Sequence, residues 1–411
     1  MAEGRQGGIS LQRIIVIGGG VVGLSSAVAL ASGGHRVTVL DAGTGREASS
    51  WNNAGHIAVE QVAPLASIAA IRSAPGRLFA RGGALDLPFG MASAWLPFAA
   101  RMLVAARPAG FRSGRTALGA LLAEAMPAWR RSAAADLVRE EGHLVGWESA
   151  ATAADGRAAW HSADTGVATV ADSDVSVFAG ITDRVVGAIR FAGSGQIADL
   201  SRLADRLEAA LYDAGGTIVR GCANLSVEDG AARVEGHDAD LVLVAAGVRS
   251  RVLMEATGHR APMIAERGYH IRAAAGRWPR DLPPVVFEDR SLIVTRYGDV
   301  VQASSFVELG NPDAPADPRK WQRLEEHVAA LGLPMAAPFT RWMGSRPTLP
   351  DYLPAIGRSR HASNLLYAFG HQHLGLTLAP ITADIVTALV AGKEPFMPIA
   401  PFDIARFGSR R

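Results

Sequence analysis

The chain has 411 residues, too many for one small core and enough for two domains. Basic residues number 41 against 39 acidic, a net charge of +2, which removes any electrostatic case for nucleic-acid binding. A hydrophobic content of 49% with no low-complexity tract excludes a disordered chain, and a single cysteine, Cys222, excludes an internal disulfide or a cysteine metal cluster.

In chain order, the opening "MAEGRQGGISLQ" carries no apolar signal core. A cytoplasmic location follows as the simplest expectation, with at most a peripheral contact at the inner face of a membrane. Ile14–Ile17 is an apolar run that stops at glycines, the pattern of a buried parallel strand. Val22–Ala31 reads as a helix ended by Gly33-Gly34, and Arg36–Leu40 as a second buried strand, which completes a βαβ unit. Leu85–Ala106 is the segment nearest to a membrane span. Asp86, Pro88, Pro97 and Arg101 interrupt it, so it reads as a buried or lid helix, and no spanning helix is expected.

The stretch from Thr116 to Glu141 is mostly helical in pattern. Asp199–Gly216 is an amphipathic helix with Leu200, Leu203, Leu207 and Leu211 on one stripe. "TIVRG" and "DLVLVAAG" follow as strands that return to the first sheet. From Met263 to Leu309 the pattern changes to short antiparallel strands with a turn at Tyr297-Gly298-Asp299. A helix is expected around Trp321–Leu331 and a last one over Ile381–Ala391. No internal repeat is visible.

The chemistry begins at Gly18-x-Gly20-x-x-Gly23, placed where strand meets helix. Gly18 permits the tight turn, Gly20 the approach of a pyrophosphate, and Gly23 the packing of helix on strand. Phosphates at a helix N-terminus meet free N–H groups and the positive end of the dipole. Asp41 ends the second strand 18 residues after Gly23, where a carboxylate accepts ribose hydroxyls. A dinucleotide site is therefore expected, but the motif does not choose between FAD and NAD. The near-repeat "GSGQIA" lacks the third glycine, so a flavoprotein of this design would draw electrons from its organic substrate rather than from a nicotinamide.

Further segments carry a resemblance. "SSWNNAGHI" (Ser49–Ile57), "LVAAG" ending at Gly247, "ERGYHI", "SRPTLPDYLPAIG" (Ser345–Gly357) and "NLLYAFGHQHLGLT" (Asn364–Thr377) occur in this order. Together they resemble the D-amino acid oxidase superfamily of FAD-dependent oxidoreductases, most closely its bacterial D-amino acid and D-hydroxyproline dehydrogenase branch, over essentially the whole chain. The resemblance implies an α/β fold: a Rossmann-type FAD-binding domain with an interwoven α+β substrate domain on a mixed or antiparallel sheet. The expected division is 1–83, 191–262 and 346–411 for FAD, and 84–190 and 263–345 for substrate. The cofactor implied is FAD, held without a covalent bond.

Carried over by motif position, Gly18, Gly20, Val22, Gly23, Asp41 and Ala42 hold the ADP half. Ser49, Ser50, Asn53, Ala54, Gly55 and His56 line the flavin ring, and Gly247 closes on the cofactor. Gly370, His371, Leu374, Gly375, Leu376 and Thr377 embrace its pyrimidine end, with Pro380 in the first turn of the last helix. Arg346 matches the arginine that pairs with the substrate carboxylate. Tyr269, His56, Gln61 and His373 are expected at the substrate, and Arg346, His371 and Tyr269 in catalysis; no metal is expected. Two positions depart from the family pattern: Gln372-His373 follows the first late histidine where a small residue is common, and Gln302 stands where arginine is frequent.

The activity so implied is oxidation of a D-amino or cyclic imino acid, such as D-proline or hydroxy-D-proline, by hydride transfer from Cα to flavin N5. The electron acceptor is a quinone, another carrier or oxygen, and a homo- or hetero-oligomer is compatible with the sequence. Alternatives are an oxygen-using glycine or sarcosine-type oxidase and a non-catalytic flavin-binding subunit of a larger complex. Sarcosine oxidases use a lysine near the flavin, and neither lysine of this chain, Lys320 or Lys393, lies in a flavin motif. A zinc hydrolase built on the late histidines lacks a third ligand at helical spacing.

Overall fold

The computed structural model describes residues 11–43, 46–161 and 167–409. The first ten residues, part of the opening that lacks a signal core, lie outside them. In chain order the principal elements begin with β1 (Arg13–Ile17), α1 (Val21–Ser32) and β2 (Arg36–Asp41). Then come α2 (Ala92–Ala105), α3 (Pro108–Ala123), β3 (His143–Trp147), β4 (Thr169–Ser173) and β5 (Gly187–Ala192). Next are α4 (Leu200–Asp213), β6 (Thr217–Arg220), β7 (Leu241–Val244), β8 (Ile264–Ala274) and β9 (Val285–Phe287). The last are β10 (Leu292–Tyr297), β11 (Val300–Gly310), α5 (Pro318–Ala330), β12 (Thr340–Thr348), β13 (Ala355–Arg358), β14 (Leu365–Phe369) and α6 (Gly375–Val390).

Two sheets organise these elements. The first has the order β6-β2-β1-β7-β14-β13, parallel except for β13. Its strands are short apolar runs because helices cover it; α1 and α6 pack on one another and on this sheet through Leu24, Ala27, Leu378 and Ile381. The second sheet runs β12-β8-β11-β10-β9-β3-β5-β4, largely antiparallel, with the short strand Leu85–Asp86 beside β11. The architecture is the mixed α/β fold read from the sequence.

Several boundaries differ from expectation. The helix α6 starts at Gly375, not near Ile381, so Pro380 lies inside it rather than in its first turn. Packing overrides the missing N–H there, since α6 is buried along most of its length. With the preceding turn, Gln372–Val390 is apolar and long enough to cross a membrane, and 61% of it is buried inside this protein, as a core helix is. The strand β12 continues to Thr348, so the division expected at 345/346 falls inside a strand, as does the one expected at 190/191 in β5.

The sheets are stitched together through the segment 46–57. Asn53 O accepts from Tyr297 Oη at 2.7 Å and from Gln302 Nε2 at 3.0 Å, and Ser49 Oγ donates to Ser345 O at 2.8 Å. Gln302 is thus a buried strut: its Oε1 also accepts from Arg272 Nε at 2.7 Å. The far face of the second sheet carries a closed ion network. Lys320, fully buried, places its ammonium against Asp86 at 2.6 Å, Asp317 at 3.1 Å and Glu308, and Arg267 meets Glu308 at 2.7 Å. The ammonium occupies the centre of three carboxylates that could otherwise hold a cation.

Candidate active site

A cavity of about 1470 Å³ lies between the sheets. It exceeds the roughly 300–1,000 Å³ typical of sites for one drug-sized ligand, as a dinucleotide plus substrate requires.

The nucleotide wall is built where β1 runs into α1. Gly18 has φ +117°, and a Cβ there would meet Ala245 O at 2.5 Å, so only glycine fits. A Cβ at Gly23 would meet Gly18 O at 2.0 Å, which is how closely helix lies on strand. No side chain caps α1, but Ser50 Oγ accepts from Val21 N at 3.1 Å, pinning the segment 46–57 to the helix start. Asp41 stands at the cavity edge with one oxygen on Arg220 Nη1 at 2.7 Å. The glycine turn, the uncapped helix and the carboxylate after β2 form a cradle that fits the ADP half of FAD.

The first turn of α6 supplies the other jaw. The short turn Gln372–Leu374 leads directly into it, and Gly375 and Leu376 line the cavity. Of the residues expected at the cofactor, Gly18, Gly20, Val22, Asp41, Ala42, Ser49, Ser50, Asn53, Ala54, His56, Gly247, Gly370, His371, Gly375 and Leu376 line it. Gly23, Gly55, Leu374 and Thr377 do not. Thr377 is buried with its hydroxyl accepting from Ala58 N at 2.9 Å, so it secures the jaw from behind.

The opposite wall, expected to face the substrate, comes from β8, β11 and β12. Arg346 sits on β12 opposite Glu266 of β8. Its Nη1 donates to Glu266 Oε1 at 3.2 Å and to Phe306 O at 3.1 Å. Phe306, at φ +73°, lies where the β8–β11 pairing slips by a residue; this bulge turns its carbonyl onto the guanidinium. The guanidinium lies over Gly268, where a Cβ would meet Nη2 at 2.4 Å. Buried Glu266 also accepts from Thr348 Oγ1 at 3.1 Å. Arg346 is therefore clamped from behind on the cavity wall.

Tyr269 lines the cavity as expected, but its hydroxyl points away from it. Glu266, Gly268 and His270 face Arg346 and the cavity; Arg267 and the Tyr269 hydroxyl reach the ion network behind the sheet. The Tyr269 hydroxyl donates to Glu308 Oε2 at 3.2 Å and accepts from Asp317 N at 3.1 Å. Also presented is His270, stacked on Trp342 at 5.1 Å between centroids, which sequence reasoning missed because it took the aromatic rather than the face. His371 lines the cavity with its Nε2 hydrogen-bonded to Thr382 Oγ1 at 3.0 Å inside α6, so the imidazole also anchors the helix.

His56, Gln61 and His373 do meet at the cavity. His373 Nε2 contacts Gln61 Oε1, and the His56 ring lies edge-on to His143 at 4.5 Å. Burial holds these imidazoles neutral, pushing His56 down to about 4 and both His371 and His373 to about 3. The sequence reading also passed over Glu60, one residue before Gln61. Glu60 is 4% exposed, and burial pushes its carboxyl up to about 7.

These features define a flavin-dependent oxidoreductase: a dinucleotide cradle, a second jaw at a helix start and a clamped arginine across the cavity. The chain belongs to the FAD dependent oxidoreductase family, whose profile matches residues 13–389. It is 31% identical over 429 residues to "D-amino acid dehydrogenase 2" of Ralstonia nicotianae, covering 96% of this chain and all of that one. It is 29% identical over 437 residues to "D-amino-acid oxidase" of Bradyrhizobium diazoefficiens, covering 99% of this chain and all of that one. In fold it is similar to glycine oxidase from Geobacillus kaustophilus, with a TM-score of 0.72 at 20% identity over 96% of this chain and 99% of that one. It is also similar to L-proline dehydrogenase from P. horikoshii, with a TM-score of 0.69 at 15% identity over 97% and 98%.

Proposed function

We propose that this enzyme oxidises a D-α-amino acid to the imino acid, with cyclic imino acids such as D-proline and hydroxy-D-proline as the narrower substrate expectation. The observation that carries the reading is Arg346: a guanidinium fixed from behind by Glu266 and Phe306 O and facing the cavity. A planar guanidinium grips a carboxylate in a bidentate way that an ammonium does not reproduce. The names of the relatives at 29–31% identity support the same substrate class.

Bound FAD supplies the acceptor for the hydride that leaves Cα. The chain's part is to hold and orient. Arg346 fixes the carboxylate and so aims Cα. The neutral imidazoles of His56 and His373 offer hydrogen bonds without adding positive charge beside the amine. Segment 46–57 and the first turn of α6 hold the ring, and that helix start, worth on the order of 1 kcal/mol, favours negative charge near it. Arg346, His56, Gln61 and His373 are thus the substrate-side residues of this reading, while Tyr269 and His371 support the wall and α6.

A glycine- or sarcosine-type oxidase is the second reading. Lys320 is buried behind the second sheet and Lys393 is exposed beyond α6, so neither offers an ammonium to the cavity. That favours an acceptor other than oxygen. The test is anaerobic bleaching of the bound flavin by both enantiomers of proline, 4-hydroxyproline and alanine, and by glycine and sarcosine. Bleaching by D-enantiomers, with dye reduction exceeding peroxide formation in air, is the expected result. Bleaching by glycine or sarcosine alone selects the second reading, and no bleaching by any of them leaves a flavin-binding subunit.

A further inference from the structure

An amino acid at neutral pH enters the cavity with a positive as well as a negative charge. Arg346 answers the carboxylate; the ammonium needs an anion, and its nitrogen must lose a proton before its lone pair can drive hydride from Cα. Among the described residues, the carboxylates lining the cavity are Asp41, Glu47, Glu60, Glu266 and Glu288. Asp41 is held by Arg220 at the nucleotide end, and Glu47 lies in the segment leading to Ser49. Glu266 is bound by Arg346 and Thr348. Glu288 stands beside Arg77.

Glu60 differs from the others. Its Oε2 is buried with no hydrogen-bond partner, and so is His56 Nε2. The ligating atoms of Glu60, His56 and His143 lie within 4.8 Å of one another. His143 comes from β3; its Nε2 stands 3.9 Å from Glu60 Oε1, beyond hydrogen-bonding distance, while its Nδ1 is tied to Ser194 Oγ at 2.8 Å. Glu60 and His56 thus each keep an unpartnered polar atom in one buried cluster on the cavity wall. The charge of Arg346 reaches His373, His373 contacts Gln61, and the Gln61 side chain meets Glu60.

We propose that Glu60 receives the substrate's ammonium group and takes its proton, as the acid–base group of the amino-acid reaction proposed above, on which this inference rests. One N–H bond breaks and one O–H bond forms: R–NH3+ and the Glu60 carboxylate become R–NH2 and the carboxylic acid. The Cα–H bond then breaks with its electron pair going to the flavin, and the nitrogen lone pair forms C=N. The proton stays on Glu60 until product leaves.

The groups that face Glu60 are His56 and His143, with Gln61 between it and His373. Burial keeps all these imidazoles neutral well below pH 6.5. Burial outweighs the Gln61 and backbone contacts that pull Glu60 the other way, leaving its carboxyl at about 7. An acid limb near neutrality is therefore assigned to Glu60.

The experiment is anaerobic stopped-flow reduction of holoenzyme by the best D-amino acid from pH 5.5 to 9, for wild type, Glu60→Gln, Glu60→Asp and Glu288→Gln. Carboxyl infrared titration and metal analysis are run on the same samples. Wild type and Glu288→Gln should lose reduction rate per substrate concentration below about pH 7. Glu60→Gln should lose that limb and fall about 100-fold or more at pH 8, with Glu60→Asp recovering part of the rate and the limb. A carboxylic-acid band titrating near 7 should be present in wild type and missing in Glu60→Gln, which reads Glu60 without turnover. An unchanged limb in Glu60→Gln, or the absence of that band, overturns the proposal and leaves the amino-acid reading standing. So does a stoichiometric divalent metal lost in Glu60→Gln, which would make the cluster a metal site. If no amino acid reduces the wild-type flavin, the functional reading falls and this proposal with it.

Discussion

The wall around Gly18 and the wall around Arg346 face one another across the same cavity, yet they are built differently. The nucleotide wall is a contiguous strand, turn and helix whose glycines are dictated by atoms within a few residues or on the neighbouring strand. The substrate wall is assembled from β8, β11 and β12, where a residue's role depends on which face of a paired strand it occupies. A local motif tolerates almost no change, whereas a strand-built wall can exchange side chains on one face without disturbing the other.

The largest effect should come from breaking the nucleotide wall. Gly23→Val places carbon where Gly18 O already lies 2.0 Å from the Cβ site. The variant is expected to purify without flavin, as read from its visible absorbance; a full flavin complement would refute the close packing of α1 on β1. Next is the seam between the walls. His270 and His371 are buried and His56 and His373 half-buried, and desolvation pushes all four down to between about 3 and 4. Their folded pKa lies below the unfolded value near 6.5, so the unfolded chain binds more protons and stability falls as pH drops through 6.5 towards 4. Each contributes on the order of 1 kcal/mol for the first pH unit below 6.5. Glu60, with its raised pKa, acts in the opposite sense: its contribution is full below about 4.5 and is lost as pH rises through about 7. Because the histidines outnumber it, the Tm of flavin-free protein should fall steeply from pH 6.5 to 5; a flat profile would contradict neutral buried imidazoles.

The smallest effect separates the faces of β8. Tyr269→Phe removes a hydroxyl from Glu308 and Asp317, behind the substrate wall. It should lower stability by about 1–2 kcal/mol in urea unfolding and leave kcat/KM within about threefold. A large loss of kcat/KM with unchanged stability would return Tyr269 to the substrate.

Much of the fold was legible in the sequence, for physical reasons that also mark where reading stops. Buried parallel strands such as Ile14–Ile17 and the leucine stripe of α4 announce themselves by period, and the Gly18 motif by its place between strand and helix. Arg346 was legible from its motif, but its clamp was not: Glu266 is 80 residues away in sequence, and only the register of β8 on β12 brings them together. The direction of the Tyr269 hydroxyl was not legible because alternation assigns it a face only once the pairing is known. The bond between His371 and Thr382 was not legible because it depends on how the chain turns into α6. Glu60 went unread because nothing local shows that His143, 83 residues away on β3, lies beside it.

The central claim is that the walls are separable, one for the cofactor and one for the amino acid, with Arg346 as the substrate's anchor. The direct measurement is flavin content and anaerobic flavin reduction on a single preparation of Arg346→Ala. Removing one partner of a buried ion pair costs roughly 3–5 kcal/mol. The account predicts a full flavin complement and a reduction rate at subsaturating D-amino acid lowered by about 100-fold or more, only partly restored in Arg346→Lys. Loss of the flavin, or an unaltered rate with the flavin in place, would contradict it.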